Sequence, residues 1–242
     1  MTLFLTSSPF VKNADRPILS DDNGFIDRIR EALPPFPRCL FVCSDPERHD
    51  LTCRFGAELF MAFAQEGIFF ESYQLLDGET AEQAEELVEA SDFIVLAGGH
   101  VPTQNAFFRQ IHLRELLEGF EGVVMGISAG SMNSAEFVYA QPEEEGESSP
   151  DFPRWLPGLS LTGVNVLPHY QEVKDSILDG KRLFEDITYA DSLENEFFAL
   201  PDGSYFYQDE DMLLLCGEGY RITDGILEKL TGDAETLDMA EL

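Results

Sequence analysis

The segment richest in chemical signal is Val123-Val124-Met125-Gly126-Ile127-Ser128-Ala129-Gly130-Ser131-Met132-Asn133. It contains Gly-x-Ser-x-Gly, with Ser128 between Gly126 and Gly130, where an apolar strand runs into helix-forming residues. This is the setting of a nucleophile elbow. A sharp strand-to-helix turn projects the hydroxyl past the carboxyl edge of a sheet, close to the positive end of the next helix. The Ala129 amide is then free to stabilise an oxyanion. A serine hydroxyl also needs a base, and four histidines are present. His49, in Glu47-Arg48-His49-Asp50, and His112, on an amphipathic helix, read as surface or structural residues. His169, after Val166-Leu167-Pro168, lies at a strand end, where open α/β sheets collect their sites, and is the candidate base. Gly98-Gly99-His100 ends another apolar run, and the Gly99 amide is a candidate second oxyanion donor.

These residues require a scaffold that brings strand ends together. Residues 3–6, 39–44, 68–75, 93–97 and 123–127 read as short apolar strands. Residues 23–33, 46–65, 80–90 and 104–117 carry helical spacing. The alternation predicts the α/β class, with a doubly wound, mostly parallel sheet and helices on both faces. After a Glu- and Pro-rich loop over 141–157, residues 159–167 read as a strand and 173–186 as a helix. Short strands over 196–200, 204–208, 212–217 and 220–223, with turns at Asp202-Gly203 and Gly217-Glu218-Gly219, predict a C-terminal β meander. No linker or repeat interrupts the chain, so one domain over 1–242 is expected, with a frayed acidic tail from about residue 231.

Composition narrows the partners. The 242 residues are 44% hydrophobic and 25% charged, as in globular proteins. Against 46 acidic residues stand 15 basic ones, a formal net charge of -31. Such a field repels phosphate backbones and anionic lipid surfaces, so neither nucleic acid nor membrane is an expected partner. The apolar runs are too short to span a bilayer, and the first residues lack a basic n-region and a cleavage site. A cytoplasmic location follows as an expectation. Cys39, Cys43, Cys53 and Cys216 form no metal pattern and read as reduced, mostly buried thiols.

Taken in order, Ala97-Gly98-Gly99, Gly126-Ile127-Ser128-Ala129-Gly130, Pro168-His169-Tyr170 and Leu200-Pro201-Asp202-Gly203 resemble the aspartyl dipeptidase (peptidase E) family. That family has the class I glutamine amidotransferase-like fold and includes cyanophycinase relatives. The resemblance spans about residues 1 to 225 and implies a serine peptidase with a Ser-His-acid triad. Ser128 and His169 fall on its first two members. The family's acid lies in Leu-Pro-Glu-Gly, which puts Asp202, one methylene shorter, in that place; Glu143, in the acidic loop, is the alternative. Two features depart from the family. Its Gly-Gly-Asn is Gly98-Gly99-His100 here, and few cations (Arg109, Arg114, Lys174) lie near the motifs to meet an aspartate substrate. A glutamine amidotransferase would carry a cysteine nucleophile and His-x-Glu, whereas Ser128 and His169-Tyr170-Gln171 stand in those places.

The resulting expectation is a serine hydrolase acting on small peptides. Ser128 attacks, His169 moves the proton, Asp202 orients the imidazole, and Gly99 and Ala129 bind the oxyanion. His100, Gln104 and Asn105, just beyond the Gly99 turn, are expected to border the substrate. The run Glu143, Glu144, Glu145 and Glu147 reads as a solvated surface. No metal or organic cofactor is implied, the partner is a small peptide, and homodimer formation is left open. The rival readings are an esterase with the same triad and a silent binding or regulatory protein of the same fold.

Overall fold

The structure is a computed structural model and describes every residue of the chain except Asn13 and Asp15. In chain order its first half comprises β1 (Thr2–Thr6), α1 (Phe25–Ala32), β2 (Arg38–Val42), α2 (His49–Gln65), β3 (Ser72–Leu76), α3 (Ala84–Glu89), β4 (Phe93–Leu96), α4 (Val101–Gln110), α5 (Leu113–Leu116), β5 (Val123–Ile127) and α6 (Ala129–Asn133). Next come β6 (Phe137–Tyr139), β7 (Trp155–Pro157), β8 (Val166–Leu167), α7 (Tyr170–Val173), β9 (Ile177–Leu178), β10 (Lys181–Arg182), a π-helical segment over Leu183–Thr188 and α8 (Tyr189–Asp191). The chain ends with β11 (Phe197–Ala199), β12 (Tyr205–Gln208), β13 (Leu213–Cys216), β14 (Gly219–Thr223), β15 (Ile226–Thr231) and β16 (Thr236–Asp238).

Among the described residues the main sheet has the order β16-β13-β12-β1-β5-β4-β2-β3. Its β1, β5, β4, β2 and β3 run parallel, and β12, β13 and β16 extend it antiparallel. Alternation along the strands decides which helix packs where. Leu3, Leu5, Leu40, Val42, Ile94 and Leu96 point to one face, against Leu87 of α3, Phe107 and Phe108 of α4 and Leu113 of α5. Phe4, Phe41, Phe93, Val95 and Met125 point to the other, against Phe25 and Ile29 of α1 and Leu59 and Phe63 of α2. Each such fully buried side chain contributes roughly 1.5–3 kcal/mol, which makes the doubly wound sheet a stiff platform.

The C-terminal antiparallel strands divide between two sheets. β12 and β13 join the main sheet, whereas β11 and β14 build a second one of order β15-β14-β11-β8. Three expectations need correction. Of residues 159–167, only Val166–Leu167 is a strand. The helix expected over 173–186 is broken by a hairpin between β9 and β10, where Asp179 (φ 51°) and Gly180 (φ 80°) take left-handed conformations. The tail is not frayed throughout, because Leu237 pairs with Leu215 and β16 closes the edge of the main sheet. Among the described residues no helix is long and apolar enough to cross a membrane.

Candidate active site

Ser128 sits in the single-residue turn between β5 and α6, with φ 51° and ψ −111°. This backbone conformation is strained for a residue with a Cβ. It is held from both sides: Ser128 N–H donates to the Thr6 carbonyl at 3.0 Å, and Ser128 C=O accepts from Met132 N–H at 3.1 Å. The two flanking glycines have separate physical causes. A Cβ on Gly126 would lie 2.5 Å from Ser131 N, because α6 folds back across β5. A Cβ on Gly130 would collide with the Leu96 carbonyl oxygen, because α6 lies directly against β4. Gly130→Val therefore forces α6 off the sheet. We expect a stability loss of about 3 kcal/mol, read as a lower urea midpoint or loss of soluble protein.

The candidate base and the candidate acid follow strands of the second sheet. β8 and β11 are parallel neighbours, with Leu167 opposite Ala199, so the residues that follow them emerge side by side. Pro168 ends the first strand and His169 (φ 56°, ψ 28°) turns into α7. Pro201 ends the other, and Asp202 enters a turn completed by Gly203 (φ 87°). His169 Nδ1 lies 2.7 Å from Asp202 Oδ1. His169 Nε2 lies 2.9 Å from Ser128 Oγ. A carboxylate only accepts, so Nδ1 carries the proton and Nε2 accepts from the Ser128 hydroxyl.

Two residues that sequence reasoning missed fix this geometry. Ser7, just past β1, donates through Oγ to Asp202 Oδ1 at 2.9 Å and accepts the His169 backbone N–H at 2.7 Å. Gln171 donates through Nε2 to Asp202 Oδ2 at 2.6 Å and accepts the Asp202 N–H at 3.0 Å. Burial opposes ionisation of Asp202, but bonds from His169, Ser7 and Gln171 outweigh it and hold its pKa below the usual carboxylate value. The signal for Ser7 was a polar pair, Ser7-Ser8, directly after an apolar strand adjacent to β5.

Ser128 and His169 open into a cavity of about 270 Å³ that is also lined by Gly99, Met132, Pro142 and Glu143. Among the described residues, neither the Gly99 nor the Ala129 amide donates a hydrogen bond within the protein. Glu143 accepts the Val101 N–H at 3.3 Å, and desolvation raises its pKa even though the residue keeps exposed surface. It lines the cavity, while the contact to the His169 imidazole belongs to Asp202.

The placement of Gln104 and Asn105 corrects the sequence reading. α4 starts at Val101, three residues earlier than the spacing suggested, and this turns both side chains inward with Val101 and Phe108. Gln104 donates to the Ala97 carbonyl at 2.7 Å, and Asn105 donates to Asn133 Oδ1 at 3.0 Å. Both are structural residues under the elbow. His100 bonds Thr103 Oγ1 at 2.7 Å and Glu147 Oε1 at 2.8 Å, while Glu147 accepts the N–H groups of Glu143 and Glu144. Glu143, Glu144 and Glu145 keep exposed surface, Glu147 is half-buried against His100, and Glu143 and Pro142 also face the cavity. Arg109 and Arg114 border a separate depression beside α5.

Among the described residues, two groups bring three ligand-type atoms within 4.8 Å: His100, Glu144 and Glu147, and His169, Glu172 and Asp202. In each, both ring nitrogens of the histidine already engage protein groups. At His169 these contacts join a hydroxyl, an imidazole and a carboxylate in one row.

Fold and site together define an α/β protein that carries a Ser-His-Asp arrangement at the carboxyl edge of a mostly parallel sheet. The chain is similar to a 1.5 Å crystal structure of a proposed peptidase E protein from Listeria monocytogenes EGD-e. The TM-score is 0.60 at 16% identity, and the match covers 95% of this chain and 98% of that one. At this identity the likeness concerns the fold. No protein-family model and no curated protein matches the chain.

Proposed function

We propose that this protein is a serine hydrolase that cleaves small peptides. The observation that carries the reading is the continuous path from Ser128 Oγ through His169 to Asp202, with contacts of 2.9 and 2.7 Å. The likeness to a proposed peptidase E supports the peptide as substrate class. Ser128 Oγ attacks the carbonyl carbon as His169 Nε2 takes its proton. The Gly99 and Ala129 amides receive the oxyanion, and His169 returns the proton to the leaving amine. Water then repeats the sequence on the acyl-serine. Asp202 keeps the imidazole in the tautomer that can accept and stabilises the imidazolium as it forms.

The cavity walls point to the substrate. Among the described residues lining it, Glu143 is the only carboxylate and no Lys or Arg is present. Nothing there offsets the charge of an aspartate side chain, whereas Glu143 suits the free α-amine of a short peptide. Met132, Val173, Ile177, Leu178 and Leu183 supply apolar surface.

The test is a panel of Asp-X, Ala-X and Lys-X dipeptides and an N-acetylated Ala-X, each at two salt concentrations. Ala-X and Lys-X should exceed Asp-X at both, because screening weakens only long-range repulsion. A clear Asp-X preference at both salts would overturn this specificity, and absence of all peptide cleavage would overturn the peptidase reading. Glu143→Gln should raise KM for free-amine peptides roughly 10-fold with little change in kcat, and leave the N-acetyl substrate unaffected. Because the Glu143 pKa is raised, its charge disappears at milder acidity than for an ordinary carboxyl. KM in the parent protein should therefore climb as pH falls through that value, and stay flat in Glu143→Gln.

A further inference from the structure

A second nucleophile–imidazole–carboxylate chain lies on α2, away from Ser128. Cys53 Sγ is 3.2 Å from His49 Nε2. His49 Nδ1 is 2.7 Å from Asp77 Oδ2. His49 and Cys53 are four residues apart on one helix and so share a face. Asp77, at the end of β3, is fully buried and is further held by the Glu79 N–H, 3.0 Å from its Oδ1. As at His169, the carboxylate fixes the imidazole tautomer, which leaves Nε2 to take the thiol proton. Cys39, Cys43 and Cys216 are buried, whereas Cys53 is exposed.

We propose that Cys53 is a reactive thiol, activated by His49 and Asp77, that exchanges with small soluble disulfides and becomes reversibly S-thiolated. The Cys53 thiolate attacks one sulfur of the disulfide R–S–S–R. A new S–S bond forms to Cys53, the old one breaks, and the departing thiolate R–S⁻ takes the proton held on His49. One disulfide is exchanged for another, with no net oxidation. The reaction needs an exposed thiolate, a local proton carrier and room for in-line attack, and no oxyanion hole.

The electrostatics fit this role. The hydrogen bond to Asp77 is the main reason the His49 pKa is raised, assisted by the charges of Glu79 and Asp50 and opposed by desolvation. His49 therefore holds a proton readily at the position next to the Cys53 sulfur, where a departing thiolate can collect it. Glu79 Oε2 also approaches His49 Nε2, at 3.7 Å, and the phenol of Tyr73, on β3, lies near Cys53; burial pushes the Tyr73 pKa up, so it stays neutral. The buried thiols lie at the opposite extreme, since desolvation pushes Cys43 up to about 12 and raises Cys39 and Cys216.

The test treats the full-length folded protein with oxidised glutathione as the probe disulfide, and follows mixed-disulfide formation by intact mass and peptide mapping between pH 6 and 9. One adduct on Cys53 is expected. At pH 6.5 an ordinary thiol is only about 1% ionised, so Cys53 should react at least roughly 10-fold faster than an unstructured cysteine peptide. His49→Gln should bring the rate and pH profile down to those of the peptide, and Cys53→Ser should remove the adduct. Asp77→Asn should act in the same direction if it folds. If it does not, the half-buried His49 position still decides the matter. Peptide-like kinetics in the parent protein, an unchanged rate in folded His49→Gln, or an adduct on another cysteine would overturn the proposal.

Discussion

Ser128→Ala should reduce hydrolysis of small peptides to background, a loss of roughly 10³-fold or more in kcat/KM. The fold should be untouched or slightly firmer. Oγ hydrogen-bonds His169, whereas the strained turn is held by backbone bonds to Thr6 and Met132 that alanine retains. Removing a reactive group from such a site often raises stability a little. Steady-state rates on an Ala-X dipeptide, together with thermal unfolding of both proteins, check this. A mutant that keeps more than a few per cent of parental turnover would show that another residue is the nucleophile.

Asp202→Asn should lower kcat by roughly 10²- to 10⁴-fold with little change in KM. An asparagine amide facing His169 Nδ1 stabilises the wrong tautomer and cannot balance the imidazolium. Glu143→Gln, by contrast, should act on KM, so the two mutants separate along different kinetic axes. The pH dependence carries the same assignment. The folded Asp202 pKa is depressed, so the carboxylate stabilises the native state above its unfolded value and loses this as pH falls through the lower folded value. Any loss of activity at mildly acidic pH must therefore arise from groups other than Asp202. Ser7→Ala and Gln171→Ala each remove a bond to Asp202 and should cost less than Asp202→Asn, read again in kcat rather than KM.

The sequence shows the alternation of strands and helices because the two sheet faces bury consecutive residues, as Leu3, Phe4 and Leu5 do. It also shows the strand exits, because Gly126, Gly130, Pro168 and Pro201 each mark a place where regular structure has to end or approach closely. The contacts that join distant segments are not visible in it. Ser7 reaches His169 across 162 positions: the antiparallel pairing of β1 with β12 sets Ser7 beside the Asp202 turn, and the parallel pairing of β8 with β11 sets His169 there too. Gln104 and Asn105 are expected at the substrate because they lie just beyond the Gly99 turn. An earlier start of α4 turned them inward, where Ala97 and Asn133 satisfy them. The hairpin within 173–186 could have been read from Asp179-Gly180, whose left-handed conformations end a helix. The triad-like group on α2 was hidden for another reason: His49 in a run of charges looks like solvent-facing surface until Asp77, from β3, is placed beneath it.

We propose Ser128 as a nucleophile activated by His169 and Asp202. The most direct measurement is reaction of the folded protein with a fluorophosphonate probe, followed by mass-spectrometric mapping of the labelled residue. A single adduct on Ser128 is expected, absent in Ser128→Ala and strongly slowed in Asp202→Asn, with the unfolded protein unlabelled. A folded protein that takes no label at Ser128, or labels there equally well without Asp202, would contradict it.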